Sequence, residues 1–182
     1  MIELRFHGRG GQGAVTSAEL LALAAIEEGK FAQSFPKFGP ERRGAPVIAF
    51  ARISEKQIRD RTAVQSPSIV VVLDPSLLSI VNTSDGMPDD GIQVVNTTKS
   101  AAELKRDFGL KGKLVTLDAN KIASEEIGRV ITNTTMLGAA IKATGLVSVD
   151  GIIEQLKTRF GRIAEGNIKA FKRAYEECAC EE

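Results

Sequence analysis

Cysteine and histidine are almost missing from this sequence of 182 residues, which has two cysteines, Cys178 and Cys180, and one histidine, His7. Iron–sulfur clusters and structural zinc usually need four protein ligands, so neither centre can be built from this chain alone. The Cys-x-Cys pair on a terminal helix is read as incidental. A single histidine also leaves no helical His-Glu-x-x-His pair for zinc hydrolysis. Long apolar runs are absent too; none approaches the roughly 18 residues that span a bilayer. Excess charge of either sign is missing, since 24 basic residues face 23 acidic ones for a net charge of +1. That balance gives no electrostatic ground for binding nucleic acid or an anionic membrane. The opening run Met1-Ile2-Glu3-Leu4-Arg5 alternates apolar and charged residues, unlike a leader, and cytoplasmic residence is expected.

What is present is ordinary globular composition, 43% hydrophobic and 26% charged, over a length that suits a single domain spanning residues 1–182. Leu4 to His7 reads as a strand and Ala14 to Glu28 as a helix closed by Gly29. Val15, Ala18, Leu21, Ala22, Ala25 and Ile26 recur along that helix at helical spacing. Phe31 to Phe35 and Val47 to Ile53 read as strands flanking a loop from Pro36 to Pro46. Ile69-Val70-Val71-Val72-Leu73 has no polar alternation and predicts a strand covered on both faces. A short helix follows from Asp74-Pro75 through Val81. Further strands are expected at Gln93 to Asn96 and Leu114 to Leu117, with a helix near Ala101 to Phe108 between them. Three helices close the chain, from near Asn133 to Gly145, from Asp150, and from near Asn167. On the last, Ile168, Phe171, Tyr175 and Cys178 share one face. This alternation predicts an α/β fold with an open, largely parallel sheet.

Between the first strand and helix lies Gly8-Arg9-Gly10-Gly11-Gln12-Gly13. Gly8-x-Gly10-x-x-Gly13 has the dinucleotide-type spacing in the right strand–loop–helix context. Glycines permit positive φ and remove the Cβ that blocks close approach. Amides at a helix start then favour an anion. Arg9 adds a mobile positive charge, and Gln12 an amide donor and acceptor. The NAD reading fails its second test, which wants an acidic residue about 20 positions further on. Ser34-Phe35-Pro36-Lys37 stands there, and Glu27 and Glu28 come too early. Lys37 is a poor substitute for the arginine of the NADP variant. No Gly-Lys-Ser/Thr follows, which excludes a Walker A loop. Two readings stay open: contact with an anion or cofactor, and a tight turn that only lets strand and helix pack.

Phe38-Gly39-Pro40-Glu41-Arg42-Arg43-Gly44-Ala45-Pro46 is the second unusual element. Arg42 and Arg43 suit phosphate or carboxylate through paired hydrogen bonds, with Glu41 placed to orient either. A solvated surface loop is the plainer reading. Taken together, His7 to Gly13 and Phe35 to Val47 resemble the gamma subunits of the 2-oxoacid:ferredoxin oxidoreductase family. The similarity covers nearly the whole chain, including Thr132-Asn133-Thr134 and Asn167-x-x-Ala170-Phe171. Gly44-Ala45-Pro46-Val47 tilts it toward the pyruvate and branched-oxoacid branches.

The resemblance implies a three-layer, Rossmann-like domain. It also implies an enzyme of several polypeptides that converts pyruvate, coenzyme A and oxidised ferredoxin to acetyl-CoA, carbon dioxide and reduced ferredoxin. Thiamine diphosphate, magnesium and iron–sulfur clusters then belong to partner alpha, beta and delta subunits. Ferredoxin is reached through the complex. This chain lacks the thiamine signature, since Ser84-Asp85-Gly86 has no paired asparagines after it. In this reading Arg9 and Gln12 are the catalytic candidates. Gly8, Arg9, Gly10, Gly11, Gln12, Gly13, Arg42 and Arg43 are the candidates for coenzyme A, and no metal is held. The competing expectations are a non-catalytic assembly subunit, of the same or a 2-oxoisovalerate-specific complex, and a free-standing nucleotide-binding oxidoreductase.

Overall fold

Ile69–Val72, wholly apolar, is buried along its length, and its place in the sheet explains why. The computed structural model describes residues 1–37 and 44–181. Its strands are β1 (Ile2–Arg9), β2 (Phe31–Pro36), β3 (Pro46–Ser54), β4 (Ile69–Val72), β5 (Ile92–Asn96), β6 (Lys113–Leu117) and β7 (Ala179–Cys180). They form one sheet in the order β2-β3-β1-β4-β5-β6-β7. β4 pairs in parallel with β1 and β5, and β5 pairs in parallel with β6. The expected parallel sheet is therefore present at the centre. β3 runs antiparallel to both β1 and β2, and β7 runs antiparallel to β6. The β2–β3 link is too short for the crossover that a parallel pair needs, so the chain turns straight back.

The helices are α1 (Ala14–Glu27), α2 (Ala101–Phe108), α3 (Ala119–Ile127), α4 (Asn133–Thr144), α5 (Val149–Phe160) and α6 (Ala164–Glu177). Leu4, Phe6, Val71, Val94 and Val115 project to one face, where they meet Leu21, Leu137 and Phe171 of the large helical layer. Val70, Val72, Val95 and Leu114 project to the other, beneath Leu104 of α2. The layers are thus helix, sheet and helix, with unequal cores.

Several local features differ from the sequence reading. β1 is longer than Leu4 to His7, and Gly8 and Arg9 pair with Val47 and Pro46 of β3. The turn after β4 is a 3-10 helix that stops at Ser79. α3 was not anticipated, although Asp118 caps Lys121 N–H and Gly128 ends it in the left-handed region. Along α1, Val15 is only half-buried and Ile26 is exposed, while Ala18, Leu21, Ala22 and Ala25 are buried. On α6 the buried face centres on Asn167, Ala170, Phe171 and Ala174. Ile168, Tyr175 and Cys178 pack at its margin. Gly138 of α4 explains that centring: a Cβ there would stand 2.2 Å from the Phe171 carbonyl oxygen, so only glycine admits the close crossing.

Over β1 and β3 the thinner face of the sheet carries buried arginines. Arg52 is 1% exposed. Its Nε donates to Glu3 Oε1 at 2.7 Å, and its guanidinium lies 5.4 Å from the Phe35 ring centre. Arg5 donates from Nη2 to the carbonyls of Thr83 and Asp85. These charge-assisted contacts fasten irregular segments over β1 and β3 where no helix covers them.

Burial, reinforced by the Arg5 and Lys37 charges, pushes the His7 imidazole down to about 4. The unfolded chain, at an ordinary value near 6.5, takes up the proton first. The neutral imidazole therefore supports the fold fully above about pH 6.5, and that support is lost as the pH falls through about 4. A His7→Gln chain should show a shallower rise of unfolding free energy between these pH values, by up to about 1.4 kcal/mol per pH unit. Denaturant titrations across that range check this; equal slopes would contradict a buried neutral imidazole.

Candidate functional site

The chain leaves β1 toward the β3 side of the sheet and leaves β4 toward the β5 side. The carboxyl ends of β1 and β4 therefore diverge. In open α/β sheets, ligands gather in the crevice at such a point. The glycine loop follows β1 and Asp74 follows β4. A hydrogen bond of 2.8 Å from Leu73 N–H to the His7 carbonyl holds the two strand ends level.

Asp74 organises what lies between them. Its Oδ2 accepts from Gln12 Nε2 at 2.8 Å and pairs with Arg9 Nε at 3.2 Å. Its Oδ1 accepts from the Ser76 amide and hydroxyl at 2.9 and 2.6 Å. Gln12 reaches back with Oε1 to the Arg9 N–H, at 2.7 Å. Arg9 also donates to Ser76 Oγ at 2.8 Å and to the Gly44 carbonyl at 2.9 Å. Partial burial pushes the Asp74 carboxyl up, but hydrogen bonds from Ser76 and Gln12, with the Arg9 charge, more than offset it. Its pKa lies below the ordinary carboxylate value. Arg9 is thus not the mobile charge expected; a carboxylate at the next strand end anchors it.

The glycines play different parts. Gly8 lies within β1, and a Cβ there would stand 3.3 Å from the Ala14 Cβ and 3.5 Å from Gln12 Oε1. Gly10 donates its N–H to the Ala45 carbonyl and accepts from Gly44 N–H, which clips the two loops together. Gly11 and Gly13 have φ of 93° and 82°, in the left-handed region that favours glycine. A Cβ at Gly13 would also lie 2.6 Å from Asn133 Nδ2, at the start of α4. No side chain caps α1, so its first-turn amides lack partners inside the helix. These amides border a cleft of about 300 Å³ lined by Arg9, Gly11, Gly13, Ala14 and Thr16. Because Asp74 neutralises Arg9, the pull on an anion comes from the amides and the helix dipole.

Arg42 and Arg43, the other candidate anion ligands, lie outside the described residues. At the far edge of the sheet, burial and the adjacent Cys180 push the Cys178 thiol up to about 12, so it is not poised as a thiolate ligand. Among the described residues no three His, Cys, Asp or Glu side chains are grouped to hold a metal. Nor is any helix there long and apolar enough to cross a membrane.

Residues 3–177 match the family described as pyruvate ferredoxin/flavodoxin oxidoreductase. The chain belongs to this family. It is 54% identical to the "Pyruvate/ketoisovalerate oxidoreductases common subunit gamma" of Thermococcus kodakarensis, over 96% of each chain. It is also 54% identical to the "Pyruvate synthase subunit PorC" of Methanothermobacter thermautotrophicus, over 97% of this chain and 96% of that one. Its fold superimposes with a TM-score of 0.89 on the crystal structure of pyruvate oxidoreductase subunit PORC from Thermotoga maritima. That pair is 41% identical, with 100% of this chain and 98% of the other covered. The fold around the glycine loop is thus that of a gamma-type member of the family.

Sequence reasoning missed Asp74, Ser76 and Asn133. For Asp74 a signal existed: an acid directly after the most buried parallel strand stands at a sheet's ligand edge. An Asp74→Ala chain should lose about 1–2 kcal/mol of stability. Hydrogen exchange at residues 9–16 should quicken by more than the global loss explains. Loop exchange that only follows global unfolding would show that Asp74 does not hold the loop.

Proposed function

We propose that this chain, as the gamma subunit of a pyruvate:ferredoxin oxidoreductase, supplies the glycine loop that completes the thiamine and coenzyme A site of the assembled enzyme. The whole enzyme takes pyruvate, coenzyme A and oxidised ferredoxin to acetyl-CoA, carbon dioxide and reduced ferredoxin, working in the cytoplasm. The observation that carries this reading is the uncapped first turn of α1, opening on a crevice that has no ribose-binding acid. Coenzyme A suits it, having phosphates for the amides and a long arm that leaves the chain. A 300 Å³ cleft is at the small end of ligand sites, so it holds one end of such a ligand while partner subunits hold the rest.

The residues here do not fit the redox and carbanion cofactors. Two thiols at the sheet edge, one with its pKa raised to about 12, make no cluster site. Thiamine diphosphate, magnesium and iron–sulfur clusters are therefore assigned to alpha, beta and delta subunits. This chain's own residues bind and orient. Gly11, Gly13 and the first turn of α1 present amides, Gln12 and Asp74 fix the loop, and Arg9 lines the cleft wall. Arg42 and Arg43 remain candidates for coenzyme A phosphate or for a subunit contact. The printed name of the Thermococcus relative joins pyruvate and ketoisovalerate under one common gamma subunit. We infer that the gamma chain does not select the oxoacid.

In the assembled enzyme, Arg42→Ala should raise the KM for coenzyme A about tenfold by losing a charge-assisted hydrogen bond, and Arg9→Ala should raise it similarly by releasing the loop that presents the amides, with the KM for pyruvate unchanged in both. Unchanged values in both would remove the assignment. Variants that fail to assemble at all, seen by size exclusion of the mixed subunits, would favour a pure assembly role.

A further inference from the structure

A cleft of about 640 Å³ lies where the end of α3, the 128–132 connection and the α5–α6 turn meet. Ile127, Ile131, Phe160 and Ile163 line it. Ile131 and Ile163 are 36% and 67% exposed, and the neighbouring Val130 is 60% exposed. Covering a large aliphatic side chain fully is worth about 1.5–3 kcal/mol, so three left open in one place are a substantial uncollected stabilisation. Exposed apolar groups gathered this way mark interaction sites.

The charges around the cleft are unequal. Glu126 is already paired with Arg173 at 3.0 Å, and Glu165 with Lys169 at 2.8 Å. Arg129 and Arg162 line the same cleft and are exposed. Among the described residues neither has a salt bridge or a side-chain hydrogen bond. The rim therefore offers two uncommitted guanidinium groups around an apolar floor. Its walls are set. Asn167 accepts from Thr134 Oγ1 and donates to the Ile163 carbonyl, both at 3.0 Å. At Gly166 a Cβ would stand 2.7 Å from the Glu126 carbonyl oxygen, so the α6 start is pressed against the end of α3. The 128–132 connection also leads directly into Asn133, whose amide abuts Gly13.

We propose that this cleft is a docking surface for another subunit of the oxidoreductase, one that inserts an apolar side chain flanked by carboxylates. Arg129 and Arg162 select the acidic flanks, and Ile131 and Ile163 receive the anchor. The proposal rests on the chain's working within an assembly. Occupancy of the cleft would also brace the α4 start that backs the glycine loop.

Hydrogen exchange of the wild-type chain, alone and in the assembled enzyme, reads this surface directly. Amides of 128–132 and 160–166 should slow at least about tenfold on assembly. Arg129→Glu together with Arg162→Glu, both exposed and so harmless to the fold, should cut recovery of partners on the tagged chain about tenfold. Equal exchange inside an intact assembly overturns the proposal and leaves the subunit reading standing. Slowing that the isolated chain shows as its concentration rises overturns it in favour of a second copy. Protection with undiminished recovery of the double variant overturns the acidic character given to the partner. A wild-type chain that recovers no partner overturns the subunit reading, and the proposal with it.

Discussion

The carboxylate of Asp74 is the constraint on which the rest of the site depends. One group at the end of β4 receives Gln12, Arg9 and Ser76 together. Gln12 in turn holds the Arg9 amide, and Arg9 holds the Gly44 carbonyl. The glycine loop, the stem of the arginine loop and the turn after β4 are thereby one connected unit. Charge-assisted hydrogen bonds of this kind are about twice as strong as neutral ones. They leave the α1 amides aimed outward, with the Arg9 charge already paired to Asp74. Preorganisation matters here because a donor already in place costs no rearrangement when a ligand arrives.

That unit exists because of the sheet topology. Parallel pairing of β1 with β4 brings two strand ends side by side, and the opposite departures of the chain open the crevice between them. The antiparallel β2–β3 pair extends the sheet beyond β1 and brings Gly44 and Ala45 to the glycine loop. On the far face, buried Arg5 and Arg52 fasten segments that have no helical cover. The unequal layers follow: five helices build the large apolar core, while polar ties hold the thin side.

Much of this was legible in the sequence. The run of five apolar residues from Ile69 marked the sheet centre, since only a strand covered on both faces has no polar alternation. The spacing of Gly8, Gly10 and Gly13 placed the loop, and the missing ribose acid removed its usual meaning. Two loops at a fixed separation carried the resemblance that the family match bears out. What was not legible depends on contacts distant in sequence. Asp74 meets Gln12 across 62 positions, and no local pattern records that. Gly8 and Gly10 looked like ligand donors, yet β3 pairing and Ala45 use them. α3 is short and buries only Ala119, Ile122 and Ala123, too weak a stripe for periodicity to reveal, and β7 is two residues long.

The function proposed above makes the chain one edge of an active site whose reactive cofactors belong to other subunits. The most direct measurement is the structure of the assembled enzyme with coenzyme A bound. A coenzyme A phosphate is expected within hydrogen-bonding distance of the amides of Gly11, Gly13 or the first turn of α1, with the contacts of Asp74 to Gln12 and Arg9 intact. Those same amides covered by another polypeptide, with coenzyme A bound elsewhere, would contradict it.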